Sequence, residues 1–332
     1  MRLIYTVGMR RLFSLLLLAA MAWMAWALLL PVAPSSPQVL IFPTGSGSAA
    51  IAASLEEHGV IRSRWAFQLV HHFYSRRRIK AGEYSFQSPA NTLQVFHRMV
   101  RGDVLLHTVV VPEGYNLYEI AAAIESAGLG SSEDFVKSAS HDVVLIHAID
   151  PGAKTLEGYL FPDTYQFTRG MSMHEICAIM VRRFQREANL MGLHADVHRV
   201  VTLASIVEKE TAAPDERALI AGVYTNRLRK NMALAADPTV VYAALMSGTY
   251  RGTIYQSDLQ SDSPYNTYRV TGLPPGPIAN PGAASLKAAM HPAETDALFF
   301  VAAGDGSGRH RFSATFDQHE RNVVAYRRSK AR

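Results

Sequence analysis

The stretch from Leu12 to Leu30 contains no charged residue, and it constrains the fold more than any other segment. A helix of this length spans about 28 Å, close to the thickness of the hydrocarbon core of a bilayer. Three arginines precede it, at Arg2, Arg10 and Arg11, and no charged residue follows it before Glu56. Because basic residues mark the cytoplasmic side of a membrane helix, this pattern predicts a cytoplasmic N-terminus and an extracytoplasmic remainder.

A cleaved signal peptide is the alternative interpretation of the same stretch. The apolar core of a signal peptide is usually about 7–15 residues long, and an Ala-x-Ala cleavage site follows it. This stretch is longer, and no convincing site of that kind comes after it. We therefore predict an uncleaved single-pass anchor, with residues 1–11 in the cytoplasm, 12–30 in the membrane and 31–38 as a Pro/Ser linker.

The composition is that of a folded protein, with 48% apolar and 18% charged residues. The formal net charge of +5 is mildly basic, which could suit an anionic polymer or a membrane surface. It could equally reflect arginine clusters at 76–78 and 327–328, which are more often solvated faces. No glycine-rich phosphate loop and no basic stripe interleaved with aromatic residues is present, so we expect no nucleic-acid partner.

The cysteine and histidine content argues against covalent or metal cross-links. A single cysteine, Cys177, excludes an internal disulfide, and its neighbours Ile176 and Ile179 predict a place in the core. The 13 histidines show no zinc-site spacing, and His310 reads as an ordinary strand or surface residue. We expect no metal and no cofactor.

An internal repeat follows the linker. Residues 39–61 and 108–130 align without a gap, and each reads as an apolar strand, a Pro-x-Gly turn, an amphipathic helix and a glycine stop. A second helix is predicted after each copy, and a strand and a helix capped by Asn91 lie between the copies. The aligned pairs include Pro43 with Pro112, Gly45 with Gly114, Ile51 with Ile120 and Gly59 with Gly128. We predict a small α+β domain over residues 39–150, built from two related βα units.

Residues 151–330 have a different pattern, which predicts a mainly helical domain with a small sheet. The fold class expected for the whole chain is therefore α+β. The predicted elements are helices at Met173–Asn189, Ala195–Glu210, from Pro214 to the basic end near Arg229, Asp237–Met246, Ser285–Met290 and Asp317–Arg328, and a hairpin of Leu298–Ala302 with Arg309–Ser313.

Glu208 is the most unusual residue of the second domain, because it is a carboxylate within an otherwise apolar helical segment. Helical geometry places it on one face with Val201 and Ala204, whereas Glu210 lies about 200° further round. Glu210 therefore cannot form an acid/base pair with it within this helix. Burying a charge costs several kcal/mol unless the charge is paired or neutralised. The pattern leaves two alternatives open, a structural ion pair or a functional carboxyl group.

Ordered motifs across residues 151–330 connect Glu208 to a known family. They resemble the signature of the MltG-type (YceG-like) endolytic murein transglycosylases, and the anchor fits the layout of that family. The βα rhythm of residues 39–150 is similar to LysM modules, which bind cell-wall sugars, although a simple spacer is the alternative. The motifs read LEGYLFPDTY (156–165), ASIVEKET (204–211), VYTNRL (223–228), ADPTVVY (236–242), SPYNTYRVTGLPPGPIANPG (263–282), SLKAAMHP (285–292), LFFVA (298–302) and HRFSATFDQH (310–319).

The resemblance implies a lyase of peptidoglycan. Such an enzyme cleaves the MurNAc-β-1,4-GlcNAc bond inside nascent strands, leaves 1,6-anhydroMurNAc ends, and has Glu208 as its catalytic residue. It implies the bacterial inner membrane as location, with the catalytic domain periplasmic. The implied partners are peptidoglycan strands and the glycosyltransferases, or penicillin-binding proteins, that make them. Cutting new strands near the membrane would limit strand elongation.

A lone carboxyl group is compatible with this chemistry. A hydrolytic glycosidase usually needs two carboxylates, whereas a lytic transglycosylase uses the C6 hydroxyl of the sugar as its nucleophile. One group can then act first as the acid and next as the base, and apolar surroundings favour the protonated form that it needs at the start. Two alternatives remain, a muramidase-type hydrolase with a second carboxylate facing Glu208 and a non-catalytic wall-binding scaffold.

Further polar and aromatic residues of the motifs are candidates for glycan contacts. Their alternative role is to cap helices or to staple loops, and Asp237 in particular reads more readily as a helix cap. The candidates are Glu157, Tyr159, Asp163, Tyr165, Asn226, Asp237, Asn266, Thr267 and Tyr268.

Overall fold

The structure, a computed structural model, describes the backbone of residues 2–330 and the side chains of Met9 and of residues 12–330. Its contacts divide the chain into two compact units. Unit 1 comprises Met1–Thr108 and Gln166–Ser172, and unit 2 comprises Val109–Tyr165 and Met173–Arg332. From Val109 onward the second repeat copy belongs to unit 2, so these units do not follow the expected boundary at residue 150. The functional division at that residue stays a prediction.

Unit 1 contains the first repeat copy and the elements that cover it. Its strands β1 and β2 pair antiparallel, with Gln38 opposite Phe86 and Phe42 opposite Gly82. Asn91 accepts a hydrogen bond from the backbone of Gln94 at the start of α4, so the predicted cap is confirmed. In chain order the elements are α1 (Arg2–Leu29), β1 (Gln38–Phe42), α2 (Ser48–Glu57), α3 (Arg64–Phe73), β2 (Gly82–Phe86) and α4 (Thr92–Arg101).

The core of unit 1 forms where the two strands meet α2, α3 and α4. Phe67 and Phe96 meet edge to face with ring centroids 5.7 Å apart, and both side chains are fully buried beside Tyr84. On β1, Leu40 and Phe42 point inward. The alternation of buried and exposed residues along β1 is that of a strand with one face on a core.

Helix α1 contains the apolar stretch. Within the described residues, Leu12–Leu29 is the segment that is long and apolar enough to cross a membrane. Near the end of α1 the carbonyl of Ala27 accepts a 2.7 Å hydrogen bond from the Thr92 hydroxyl, which joins this helix to α4. The side chains of Arg2, Arg10 and Arg11, which carry the topology prediction, lie outside the described residues.

Unit 2 is mainly helical, so the expected mixture of helices with small sheets is confirmed. Strands β3 and β4 pair with each other. The boundary between the two units falls inside each strand, after Thr108 in β3 and after Tyr165 in β4. The remaining elements are β3 (His107–Val111), α5 (Leu117–Ser126), α6 (Ser132–His141), β4 (Asp163–Phe167), α7 (Met173–Met191), α8 (Val197–Glu210), α9 (Arg217–Arg229), α10 (Asp237–Met246), α11 (Gln256–Leu259), α12 (Ala283–Met290), β5 (Phe299–Ala302), β6 (His310–Ser313) and α13 (Phe316–Lys330).

Most predicted elements of unit 2 are present within a few residues of their expected ends. The β5–β6 hairpin is antiparallel, His310 lies in β6, and Cys177 is fully buried on α7. Strand β4, which contains Asp163 and Tyr165, is not among the predicted elements. The segment is short, and its pairing with the distant β3 could not be read from local pattern.

Helix α8 lies at the centre of unit 2, packed against α9, α10 and α12. Its residues 200–207 are all buried, so it has no exposed polar face along that length. The Ser205 hydroxyl accepts a 3.1 Å hydrogen bond from the backbone N–H of Ile278, which ties the long loop before α12 to this helix. Glu208 follows directly after the buried stretch.

Replacing Phe96 by alanine is expected to destabilise unit 1. A fully buried Phe typically contributes about 3–5 kcal/mol to the free energy of unfolding relative to alanine, and Phe96 is fully buried. Phe73, which is 75% exposed on α3, is the matched control, and its replacement should cost less than about 0.5 kcal/mol. Thermal and denaturant unfolding of the two detergent-solubilised variants measures the difference. Equal losses would contradict the described core.

Candidate active site

The carboxylate of Glu208 lies where three elements of unit 2 meet. One oxygen, Oε1, is 3.3 Å from Nη2 of Arg217 at the start of α9. The other, Oε2, accepts a 2.9 Å hydrogen bond from the backbone N–H of Gly282, the residue that caps α12. Only 5% of the side chain is exposed. The chain therefore brings a guanidinium and a helix start onto a single carboxylate.

These surroundings correct the expectation of an apolar environment for Glu208. A guanidinium and a backbone N–H both bind the ionised form of a carboxylate, and the start of a helix adds the positive end of its dipole. The segment looked apolar because the donors come from elsewhere in the chain, at residues 217 and 282. The helix phase argument itself is confirmed, since Glu210 has a separate partner, the hydroxyl of Tyr224 at 2.6 Å.

A second carboxyl group, Glu113, lies beside Glu208 and was missed in the sequence. It belongs to the turn between β3 and α5, and its Oε2 is 4.0 Å from the same Nη2 of Arg217. Half of its side chain is exposed. Partial burial, followed by the charge of Glu208, raises the pKa of Glu113, while Arg217 opposes the shift.

The repeat alignment contained a signal for Glu113 that sequence reasoning did not use. The two copies share the Pro-x-Gly turn, and the central position is Thr44 in the first copy and Glu113 in the second. A turn that forms with threonine does not require a carboxylate. A difference at this one position could have marked Glu113 as a functional candidate.

The turn that carries Glu113 is pinned to the rest of the site by its backbone. The N–H of Gly114 donates to the carbonyl of Asn280 at 2.9 Å, and the N–H of Asn280 donates to the carbonyl of Tyr115 at 2.8 Å. The ammonium group of Lys209, next to Glu208 on α8, donates to the carbonyl of Gly114 at 3.1 Å. Gly114 has φ of +79°, a conformation that glycine adopts without strain.

Glu157 was expected to contact glycan, and the structure gives it a structural role instead. Its side chain is buried, and its two oxygens accept hydrogen bonds from the Leu117 backbone N–H at 3.0 Å and the Asn280 amide at 2.8 Å. Burial raises the pKa of Glu157 to about 8. The carboxyl group thus joins the start of α5 to the loop before α12, close to the turn of Glu113.

The two predicted tyrosines of the first motif are also interior residues. Tyr159 is fully buried, and its hydroxyl donates to the carboxylate of Asp150. Tyr165 is 6% exposed, and its hydroxyl donates to the carbonyl of Phe161. Asp163 is partly buried on β4, where its carboxylate pairs with Arg183 at 2.6 Å.

Three more candidates hold loops together, which was their alternative role. The amide of Asn226 donates to the carbonyls of Thr295 and Ala297. Asn266 is fully buried and donates to two carbonyls of its own loop. Thr267 is buried, and its hydroxyl accepts from the N–H of Ala236 at 3.0 Å. The small polar side chains of these motifs therefore form hydrogen bonds with backbone N–H and carbonyl groups.

Asp237 and Tyr268 are the predicted binding residues that stay at the surface. The hydroxyl of Tyr268, which is 42% exposed, donates to Oδ1 of Asp237 at 2.6 Å. The expected capping role of Asp237 is wrong, because Ala236 is the N-cap of α10 and Asp237 is the first helical residue.

Asp237 also lines a cavity of about 610 Å³ in unit 2. This size is within the usual range of ligand sites. Its wall combines aromatic and aliphatic side chains with groups of both charges. The lining residues are Asn116, Tyr118, Glu119, Ala122, Lys209, Asp237, Pro238, Val241, Tyr242, Leu245, Tyr250 and Ile278.

No residues in the described part of the chain form a metal centre. Over these residues there is no group of three or more His, Cys, Asp or Glu side chains that could hold a metal ion. The chemistry that the site can perform with its own groups is proton transfer by Glu208 and Glu113, with Arg217 as the charge partner.

The buried carboxyl group of Glu157 should make stability depend on pH. Its pKa is raised in the folded protein from 4.5 to about 8, so the folded state retains a proton that the unfolded state has lost. The stabilisation is therefore fully present below pH 4.5 and is lost as the pH rises to about 8. In Glu157→Gln this decline should shrink, although losing an acceptor lowers stability at every pH. Unfolding temperatures across this range, with the exposed Glu133→Gln as control, test it. An unchanged slope in Glu157→Gln would contradict the assignment.

Comparison with known proteins places the chain in a family. Residues 40–325 match the model of the YceG-like family. A Bacillus subtilis protein named endolytic murein transglycosylase is 34% identical over 87% of this chain and 84% of its own length. A protein of the same name from Streptococcus pneumoniae is 28% identical over 91% of this chain and 61% of its own length. The crystal structure of a YceG-like protein from Listeria monocytogenes superposes with a TM-score of 0.56 at 33% identity, covering 86% of this chain and 99% of that one. The chain therefore belongs to the YceG-like family.

Proposed function

We propose that this protein is an endolytic murein transglycosylase, a lyase that cuts inside peptidoglycan strands. Membership in the YceG-like family and the names of the Bacillus and Streptococcus relatives support the general activity. The observation that carries the proposal is the position of Glu208, at the junction of α8, α9 and α12. The proposed bond is the MurNAc-β-1,4-GlcNAc linkage, and the proposed product has a 1,6-anhydroMurNAc end.

The proposed reaction needs two proton transfers and no water. An acid gives its proton to the oxygen that leaves with GlcNAc as the bond from that oxygen to C1 of MurNAc breaks. A base then takes the proton of the C6 hydroxyl as O6 bonds to C1 and closes the anhydro ring. Glu208 is assigned to both transfers, first as the acid and then as the base, and Arg217 and the Gly282 N–H hold its carboxylate in place. Arg217 is itself only 11% exposed.

The N-terminal region supports a cellular location for this activity. In the proposal, α1 anchors the chain in the bacterial inner membrane, with residues 1–11 cytoplasmic and the rest periplasmic. Residues 39–150 act as a LysM-like glycan-binding region, and 151–330 act as the catalytic domain. An anchored enzyme reaches only glycan near the membrane, so its substrate is nascent strands. Its partners are the penicillin-binding glycosyltransferases that extend them, and cutting limits strand elongation.

Asp237 and Tyr268 are the accessible candidates for glycan contacts. Their hydrogen-bonded pair presents a carboxylate and a flat ring, which are groups that sugar sites use, and Asp237 faces the 610 Å³ cavity. In the proposal the glycan lies along this side of unit 2. The buried candidates support the loops beneath it.

A muramidase-type hydrolase is the second candidate, and one observation favours it. A hydrolase requires a second carboxylate near the first, and Glu113 lies beside Glu208. The two reactions differ in what attacks C1, so their products differ. A hydrolase leaves reducing ends, whereas the lyase leaves anhydro ends.

Digestion of purified peptidoglycan distinguishes the two reactions and tests Glu208. The wild-type protein should release fragments with anhydro ends, detected by mass spectrometry, and Glu208→Gln should reduce cleavage by about 10²-fold or more. Glu133→Gln removes an exposed carboxylate of the same unit and should leave cleavage unchanged. Reducing ends from the wild type would establish the hydrolase. Full cleavage by a folded Glu208→Gln would remove the catalytic assignment.

The anchor makes a separate prediction about the mature chain. If α1 stays in the membrane, the native protein should appear in the membrane fraction with its N-terminal segment intact. Intact-mass measurement of the detergent-extracted protein checks this. A soluble protein that begins after residue 30 would instead indicate a cleaved signal peptide.

A further inference from the structure

We propose that helix α3 of unit 1 lies on the membrane surface beside α1, with its exposed apolar stripe among the headgroups of an anionic bilayer. This inference goes beyond the proposed enzyme activity and rests on the proposed anchoring of α1. Three observations carry it: an uncovered apolar stripe on α3, arginines at both ends of this helix, and hydrogen bonds that join its start to the end of α1.

The apolar face of α3 is wider than the part that the core of unit 1 covers. At about 100° per residue, Trp65, Leu69 and Phe73 fall within about 80° of one another around the helix. Phe67 and Val70 continue the same apolar arc and are buried in the core. Trp65 and Phe73, in contrast, are 63% and 75% exposed. Large aromatic side chains exposed together on one helix face are typical of a surface that binds a partner or a membrane.

Basic residues border this stripe at both ends of the helix. From 62 to 80 the chain has six basic residues and no acidic residue. Arg64, in the first turn, pairs with Glu56 at 3.5 Å. The three arginines at 76–78 follow the last turn, where residues 72–78 are all exposed. Aromatic side chains on one face with basic residues along its border are the pattern of helices that lie in the interface of an anionic membrane.

The start of α3 is fixed to the end of α1. The guanidinium of Arg62, which directly precedes the N-cap of α3, donates to the carbonyls of Pro31 at 2.9 Å and Leu30 at 3.4 Å. It also lies over the ring of Trp26 on α1, 5.0 Å from the ring centre. Because the apolar stretch ends at Leu30, the first turn of α3 lies where the chain leaves the bilayer core in the proposed topology.

The end of α1 is also part of the fold of unit 1. At the start of α4, the Thr92 hydroxyl donates to the carbonyl of Ala27 at 2.7 Å, and the Asn91 amide donates to that of Leu29 at 3.4 Å. Ala27 is fully buried, so unit 1 is packed onto the last turn of α1 instead of being tethered by a flexible linker. The stripe on α3 therefore stays next to the membrane.

A glycan strand is the alternative occupant of this stripe, because aromatic rings also stack on sugars. The position of the stripe at the end of α1 and the six basic residues from 62 to 80 favour the bilayer. A sugar ring is uncharged and gains little from these cations. Each arginine that lies close to an anionic membrane, in contrast, strengthens binding by about fivefold.

Tryptophan fluorescence tests the proposal, since the chain has three tryptophans, Trp23 and Trp26 on α1 and Trp65 on α3. In full-length Trp23→Phe/Trp26→Phe, Trp65 is the single reporter. In vesicles of phosphatidylglycerol and phosphatidylcholine, its emission should be quenched by lipids spin-labelled at the headgroup more strongly than by lipids labelled deep in the acyl chain. The quenching should fall in pure phosphatidylcholine and at high salt, because both weaken the attraction of the arginines to the surface.

Charge variants in the same background test the arginines. Arg76→Gln/Arg78→Gln should lower the equilibrium constant for docking by about fivefold for each arginine. Quenching measured at increasing phosphatidylglycerol content gives this constant. The matched control is Arg327→Gln/Arg328→Gln, which removes the basic pair of α13 in unit 2 and should leave the quenching of Trp65 unchanged.

A third variant tests the apolar stripe. Phe73→Ser removes one of its rings and should move the emission of Trp65 toward that of a water-exposed indole. Because Phe73 is exposed, the thermal unfolding of this variant should match that of its parent, which separates loss of docking from loss of folding.

The outcomes separate this inference from the proposed function. Unquenched Trp65 in phosphatidylglycerol vesicles, or quenching that Arg76→Gln/Arg78→Gln leaves unchanged, overturns it. A change in Trp65 emission caused by peptidoglycan fragments and not by phosphatidylglycerol assigns the stripe to glycan and also overturns it. In Trp65→Phe, Trp23 and Trp26 report on α1, and if deep labels do not quench them, the anchor fails together with this inference. Anhydro ends are measured separately, so the lyase proposal stands or falls on its products.

Discussion

The rest of the site depends on the hydrogen bonds that the buried carboxamide of Asn280 makes. Its amide nitrogen donates to the Tyr115 carbonyl and to the Glu157 carboxyl group, and its oxygen accepts from the Leu160 N–H. Its backbone pairs with the turn at residues 114–115 in both directions. One side chain thus joins three distant segments of unit 2. Asn280, Glu157 and Leu160 are buried, and leaving their polar groups unpaired would cost about 1–3 kcal/mol each, so these segments are held in a single arrangement.

The position of the two carboxyl groups follows from this junction. Asn280 and Lys209 hold the turn of Glu113, and the same loop delivers Gly282 to the start of α12. Arg217 approaches from α9 and contacts both acids. The environment of Glu208 is therefore polar, although the helix that carries it is buried. The donors are distributed unequally, because Glu208 has the guanidinium and the Gly282 N–H whereas Glu113 has the more distant contact with the same guanidinium.

Local pattern predicted the elements well where they depend on short-range forces. The cap at Asn91, the burial of Cys177, the β5–β6 hairpin and the separate partners of Glu208 and Glu210 follow from periodicity, turn chemistry and helix geometry. Strand β4 was missed because it exists through its pairing with β3, far away in sequence. Most residues predicted to bind glycan are buried in the structure or hold loops together through hydrogen bonds. A motif preserves residues that shape a site as well as residues that touch a ligand, and residue type alone does not distinguish them.

The sequence by itself determined the apolar N-terminal helix, the mixed α+β class, the repeated turn and the isolation of Glu208 from Glu210, because each depends on neighbours within a few residues. It also carried the motifs that identify the family. Only the tertiary structure decided that Arg217, Gly282 and Glu113 surround Glu208, that Glu157 is a buried support, and that Asp237 and Tyr268 are the candidates left at the surface. These facts depend on segments that meet across long stretches of chain, and burial and hydrogen-bond pairing between such segments leave no local periodicity to read.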